Sequence, residues 1–133
     1  MTRYMLDTNI ISDLIKNPKG KAAARIARVG EDKICTSIIV AAELRYGCAK
    51  KGSKRLLKAV EDLLEEIETL PFEPPAEIKY GEIRLELESA GKPIAANDLL
   101  IAAHAAAVDA TIVTANVDAF KRIRGLKVES WLA

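Results

Sequence analysis

Apolar positions along the chain follow two rhythms in alternation. Short apolar or β-branched runs at residues 4–6, 33–36 and 110–114 have strand length. Between them, apolar residues recur three and four apart, the spacing of helices with one buried face. Ile10, Ile11, Leu14 and Ile15 predict a first helix, entered through the capping types Asp7-Thr8-Asn9. Residues 19–29 predict a second, with Ala23, Ile26 and Ala27 inward and Gly30 as its stop. Ser37 caps a third over 38–50, which ends near Gly52. Ser53 caps a long fourth over 54–68 with the stripe Leu56, Leu57, Val60, Leu63, Leu64 and Ile67. This fourth helix starts basic and ends acidic, against the helix dipole, so packing must hold it. Residues 69–72 read as extended. Pro74-Pro75 then opens a fifth helix over 76–90, with Ile78, Ile83 or Tyr80, Leu85 and Leu87 inward. An alanine-rich sixth over 96–108, a short helix within 115–124 and a last strand at 127–129 complete the pattern. Strands alternating with helices predict an α/β fold with a mostly parallel sheet.

Composition adds bounds. At 133 residues, one domain over 1–133 is expected. Hydrophobic residues make up 50% and aromatics only 5%, so the core must be aliphatic. A net charge of +1 announces no polyanionic partner; nucleic acid would need a local basic patch. No basic leader precedes an apolar segment, and the apolar stretch 99–108 is too short to span a bilayer. Cys35 and Cys48 form no CxxC or zinc pattern, and read as buried small hydrophobes of a cytoplasmic protein.

Three acids stand where a packed core would not choose them. Asp7 ends the first strand, and ligands of open parallel sheets bind at the carboxyl ends of strands. As a lone residue it is equally an N-cap. Glu43 has Ile39, Val40, Tyr46 and Gly47 as helical face-mates, and Asp98 has Ile94, Ala95, Ile101 and Ala102. Singly, each has a structural explanation: a salt bridge for Glu43, a helix-start charge for Asp98. Together they can converge at one sheet end. Buried carboxylates repel unless paired or bridged, and hard divalent cations such as Mg²⁺ or Mn²⁺ prefer all-oxygen ligands. His104 is the only histidine, among apolar face-mates, and reads as a packed or half-exposed helix residue. Acid–base catalysis without a metal usually needs two such groups. No nucleophile elbow, P-loop or dinucleotide fingerprint is present.

In order along the chain, several pieces match one family: Leu6-Asp7-Thr8-Asn9-Ile10, then Thr36-Ser37-Ile38 with Ala42-Glu43-Leu44, then Asn97-Asp98-Leu99-Leu100-Ile101-Ala102-Ala103. The tail Val113-Thr114-Ala115-Asn116, Phe120, Gly125-Leu126 and Glu129-Ser130-Trp131 follows. The set resembles a PIN-domain ribonuclease toxin of the VapC type, most weakly over residues 50–92. The resemblance implies a three-layer α/β/α sandwich and Mg²⁺- or Mn²⁺-dependent RNA cleavage, leaving a 5′-phosphate and a 3′-hydroxyl. It implies Asp7, Glu43 and Asp98 as catalytic metal ligands, with Asn116 at a fourth position that often carries Asp. Asp118, two residues on, is a possible substitute. Thr8, Asn9 and Ser37 would position the substrate, although helix capping explains each equally well.

The same resemblance implies a homodimer and a co-encoded VapB-like antitoxin whose C-terminal segment crosses the pocket. RNA contact falls to basic clusters: Arg45, Lys50, Lys51, Lys54 and Arg55 beyond the Glu43 helix, and Lys121, Arg122 and Arg124 near Asn116. Two other readings stand beside the ribonuclease. One is a catalytically silent RNA- or protein-binding module of the same fold. The other is a Mg²⁺-dependent phosphohydrolase with Asp7 as nucleophile, which normally wants Asp where this chain has Asn9.

Overall fold

The computed structural model describes residues 2–132. The apolar run at residues 4–6 becomes strand β1 (Arg3–Leu6), followed at once by α1 (Thr8–Lys16) and α2 (Lys21–Val29). A single 3-10 turn leads into β2 (Ile34–Ser37), then α3 (Ile38–Lys51) and α4 (Lys54–Glu66). Strand β3 (Glu68–Leu70), α5 (Ala76–Ser89), α6 (Ala96–Ala107), β4 (Ala110–Val113), α7 (Val117–Lys121) and β5 (Val128–Glu129) follow.

The strands pair in the order β3-β2-β1-β4-β5, and every pairing is parallel. Met5 at the centre lies beside Cys35 on one side and Ile112 on the other. All four residues of β2 and of β4 are buried, so helices cover both faces and the molecule has three layers. From β1 the chain builds outward through β2 and β3, then returns to the other edge of β1 with β4 and β5. The order therefore reverses at β1, and the crevice between the carboxyl ends of β1 and β4 is the ligand-binding position of such sheets. Asp7 sits in that crevice, its backbone N–H donating to Val113 O at 2.9 Å.

The sheet, expected to be mostly parallel, is wholly parallel among the described strands. Two other expectations change. The fourth helix stops at Glu66, because Ile67 turns extended and residues 68–70 pair with β2. Acids at a helix C-terminus gain nothing from the dipole, so edge pairing wins there. In α5 the buried face is Ala76, Ile83 and Leu87, while Ile78 and Leu85 point outward at 57% and 68% exposure. Among the described residues, no helix is long and apolar enough to cross a membrane.

Candidate active site

Asp7, Glu43, Asp98 and Asn116 all line one cavity of about 550 Å³, with Thr8 and Asn9 beside them. Each acid reaches it from a different element: Asp7 from the end of β1, Glu43 from the middle of α3, Asp98 from the first turn of α6.

Asp7 is buried and held at both oxygens. Oδ1 accepts from the Thr8 backbone N–H at 2.8 Å, and Oδ2 from the Thr114 hydroxyl at 2.7 Å. Thr114 Oγ1 in turn accepts from the Asn116 N–H at 2.9 Å. Glu43 Oε1 accepts from the Thr8 hydroxyl at 2.7 Å and Oε2 from the Asn97 amide at 3.1 Å. Asp98 Oδ2 accepts from the Asn116 amide at 3.2 Å. Asn9 Oδ1 accepts from the Ala115 N–H at 3.0 Å, clamping the loop after β4 to the start of α1.

Every one of these partners is neutral. The ion pairs among the described residues lie elsewhere and include none of the three acids. The electrostatics follow. Burial pushes the Asp7 carboxyl up; the Thr114 and Thr8 hydrogen bonds oppose it and the Glu43 charge adds to it. Asp98 is also raised, first by burial, then by the charges of Asp7 and Glu43, against the Asn116 hydrogen bond. Asp7, Glu43 and Asp98 thus share a cavity with Asp13, and its one basic lining residue, Lys16, forms no ion pair with any of them among the described residues. The sequence reading expected a tighter group: among the described residues, no three acidic, histidine or cysteine side chains close into a ready-made metal-ligand cluster. Mutual repulsion and the separate neutral donors account for the spacing.

A family model for the PIN domain matches residues 4–126. The chain is 42% identical over 130 residues to Ribonuclease VapC2 of Rickettsia felis, covering 96% of this chain and 97% of that protein. It is 36% identical over 132 residues to the tRNA(fMet)-specific endonuclease VapC of Shigella flexneri, covering 98% and 99%. This chain belongs to the VapC ribonucleases of the PIN-domain family. Among solved structures, that of VapBC2 from Rickettsia felis bound to a promoter DNA fragment superposes with a TM-score of 0.89 at 39% identity, covering 98% of this chain and 99% of that one.

The VapC fold brings some of the expected residues to the cavity and not others. Ser37 is removed from it: fully buried, its Oγ accepts from the Ile39 N–H at 3.0 Å and lies 2.7 Å from His104 Nδ1. It is a cap and a packing partner, not a substrate contact. His104 is packed, as expected, at 1% exposure. Asp118 is exposed and off the cavity, so Asn116 alone fills the fourth position. Of the basic candidates, Arg45 is tied to Glu61 at 3.1 Å and Arg122 to the Pro93 carbonyl at 3.0 Å. Lys50 and Lys51 end α3, Lys51 lining a separate apolar groove, and Lys121 ends α7. None of the five lines the acidic cavity.

Sequence reasoning missed Ser12, Asp13, Lys16 and Leu132, which complete the cavity wall, and Thr114, which anchors Asp7. A signal existed for two of them. Thr8, Ser12 and Lys16 stand four residues apart, on one face of α1.

Proposed function

We propose that this VapC-family chain is a metal-dependent endoribonuclease and the toxin half of a type II toxin–antitoxin pair. One observation carries the catalytic reading: the carboxylates of Asp7, Glu43 and Asp98 line a single cavity at the sheet's carboxyl end, each held by neutral donors. An all-oxygen, net-negative site of this kind suits a hard divalent ion, Mg²⁺ or Mn²⁺, held by Asp7, Glu43 and Asp98. When bound, such an ion activates water and offsets charge on the phosphate.

The chain's own groups do the rest. Thr8 and Thr114 fix the Asp7 carboxylate, and Thr8 fixes Glu43 as well, so two acids from distant elements share one anchor. Where Glu43 does not hold the ion directly, its carboxylate on the cavity wall is instead the proton acceptor for the attacking water. Asn116 orients Asp98 without adding a fourth charge. Asn9 keeps the loop that carries Asn116 against α1. Cleavage leaves a 5′-phosphate and a 3′-hydroxyl, and transfer RNA, named in the Shigella flexneri relative, is the first substrate to test. Asp7 as a covalent nucleophile is the weaker reading, because the second Asp it normally needs two residues on is here Asn9, whose Oδ1 is taken by the Ala115 N–H.

The partner is a VapB-like antitoxin, as in the VapBC assembly of the Rickettsia felis relative. A groove of about 150 Å³ lined by Leu44, Leu56 and Val60 shares Thr8, Ser12 and Glu43 with the acidic cavity. An antitoxin segment lying there can bring an Arg or Lys to the carboxylates and neutralise them. A homodimer is the assembly this family reading carries with it; Ile38 and Tyr46 on α3 and Ile78 and Leu85 on α5 are the exposed large apolar side chains among the described residues.

The test is cleavage of RNA by the purified chain with added Mg²⁺, with chelator, and as the Asp98→Asn and Glu43→Gln variants. Cutting should need the ion and both carboxylates while circular dichroism stays native. Cleavage that survives chelation, or folded variants that cut as fast as the parent, overturns the reading.

A further inference from the structure

The acidic cavity explains where RNA is cut but not how a polyanion approaches three carboxylates. Their potential repels phosphate, so the substrate needs positive charge close by. The total charge of +1 does not supply it. Of the basic groups named from sequence, Arg45, Arg122 and Arg124 are turned to Glu61, the Pro93 carbonyl and Glu86, and Lys50, Lys51, Lys54, Arg55 and Lys121 do not line the acidic cavity.

A second cavity, of about 590 Å³, opens over the turn between α1 and α2. Lys16, Lys19 and Lys21 line it, and it shares Asp13, Lys16 and Leu132 with the acidic cavity. The two spaces therefore meet at Lys16. All three lysines are exposed, and none takes part in an ion pair among the described residues. The turn that carries them is braced. Asn17 donates its N–H to Asp13 O at 2.7 Å and its side-chain amide to Asp13 Oδ1 at 2.8 Å, and the Gly20 N–H donates to Asn17 O at 2.9 Å. Pro18 fixes one further φ. On the far side, Trp131 is buried against Tyr4, its ring 5.2 Å away, and this seats Leu132 as the shared wall. The lining of this second cavity contains no aromatic ring among the described residues.

We propose that the RNA strand runs from the acidic cavity into this basic one, with Lys16, Lys19 and Lys21 holding its phosphate backbone. The inference rests on the ribonuclease reading above and gives it a substrate track. Lysine contacts to phosphate position a strand without reading its sequence, and a wall without aromatic rings offers no stacking platform. The track thus supplies affinity that every RNA shares. Asp13 sits at the junction with its carboxylate turned to Asn17, so it does not cancel Lys16 as an ion pair.

The experiment compares Lys19→Glu/Lys21→Glu with Arg28→Glu, a charge reversal on the same helix α2 but away from the cavity. Steady-state cleavage of two unrelated RNA oligonucleotides is measured over a salt series. The double variant should raise KM by about tenfold or more on both RNAs with kcat nearly unchanged, the mark of lost uniform binding. Its salt slope should fall by roughly 1.4, at about 0.7 per lost single-strand phosphate contact. Arg28→Glu should match the parent. An unchanged KM, an equal effect from Arg28→Glu, or an effect on only one RNA overturns the track. So does loss of antitoxin binding with RNA kinetics untouched, which would make the cavity a protein-docking surface. Fluorescence anisotropy of RNA binding to the Asp98→Asn chain, with and without the lysine changes, separates the two claims. Lysine-dependent binding without any cleavage by the parent sinks the ribonuclease reading and keeps the track; cleavage indifferent to the lysines does the reverse.

Discussion

Thr8 and Glu43, 35 residues apart in sequence, meet hydroxyl to carboxylate at 2.7 Å. The same threonine gives its backbone N–H to Asp7 at 2.8 Å. One residue therefore sets the relative position of two of the three acids. Thr8→Val keeps the shape and the backbone donor but removes the hydroxyl. It should lower kcat by roughly tenfold to a hundredfold, the cost of a slightly misplaced catalytic group, while costing only about 1 kcal/mol of stability. Thr8→Ser should restore most of the rate. Cleavage kinetics beside thermal melts check this, and an unchanged kcat in Thr8→Val would remove Thr8 from the site.

Asp98 ties function to stability with a definite sign. Its carboxyl is raised by burial and by the charges of Asp7 and Glu43, so the folded chain holds its proton to higher pH than the unfolded chain does. Stability from this group is therefore greatest at low pH and falls as pH rises from the ordinary carboxylate value through the raised one; Asp7 acts in the same direction. At neutral pH without divalent ions, Asp98→Asn should melt higher than the parent, by a few degrees for roughly 1 kcal/mol. Added Mg²⁺ should raise the parent's melting point and move the variant's much less. In the parent, the acid limb of activity should lie above about 4, the usual carboxylate range, and move down as Mg²⁺ rises. An Asp98→Asn chain that melts lower than the parent in chelator contradicts this account.

Much of this site was legible because its acids break a pattern. Asp7 stands at a strand-to-helix junction, and Glu43 and Asp98 interrupt apolar faces; period marked them as candidates, and the family resemblance joined them into one site. The parallel sheet followed from strands alternating with helices, but the reversal of order at β1 is set by long-range pairing. Other features depend on what packs against what. In α5, Ile78 and Leu85 stand seven residues apart, as do Ala76 and Ile83, so the two faces compete on spacing; contact with α6 chose the second. Ser37 was expected at the pocket from the family resemblance alone, yet its partner His104 is 67 positions away and both are buried. Lys16 was passed over because a lysine ending a short helix satisfies the dipole and needs no other explanation.

Ser37 and His104 form a buried polar pair between the start of α3 and α6, the helices that carry Glu43 and Asp98. Ser37→Ala strips the Ile39 N–H of its cap and leaves His104 Nδ1 unpartnered. The expected loss is about 2 kcal/mol, with kcat preserved well below the melting point. Burial holds the imidazole below its ordinary value, partly opposed by the Pro71 carbonyl and the Glu73 charge. The folded chain thus binds fewer protons here than the unfolded one. Stability from this group is present above about 6.5 and is lost as pH falls below it, opposite in sign to the carboxylates. Melting curves of the parent and His104→Gln between neutral and mildly acid pH isolate the effect: the variant should lose the acid-side drop that this histidine causes. Equal slopes in the two proteins would place no proton linkage on it.

Asn116 donates its amide to Asp98 and stands where the family often carries a fourth acid. Asn116→Asp exchanges that donor for a like charge. Without metal, the Asp98 carboxyl should rise further and the chain should melt lower, because a further carboxylate joins the acidic cavity directly beside Asp98, where no ion pair among the described residues offsets it. With metal the balance reverses, since each added carboxylate oxygen strengthens the hold on a hard divalent ion. Half-maximal cleavage should then need about tenfold less Mg²⁺, roughly 1.4 kcal/mol of binding. Asp118→Asn, on the exposed side of α7, should change neither quantity. A Mg²⁺ requirement that rises in Asn116→Asp would mean that the amide is needed as a donor, and that position 116 serves Asp98 rather than the ion.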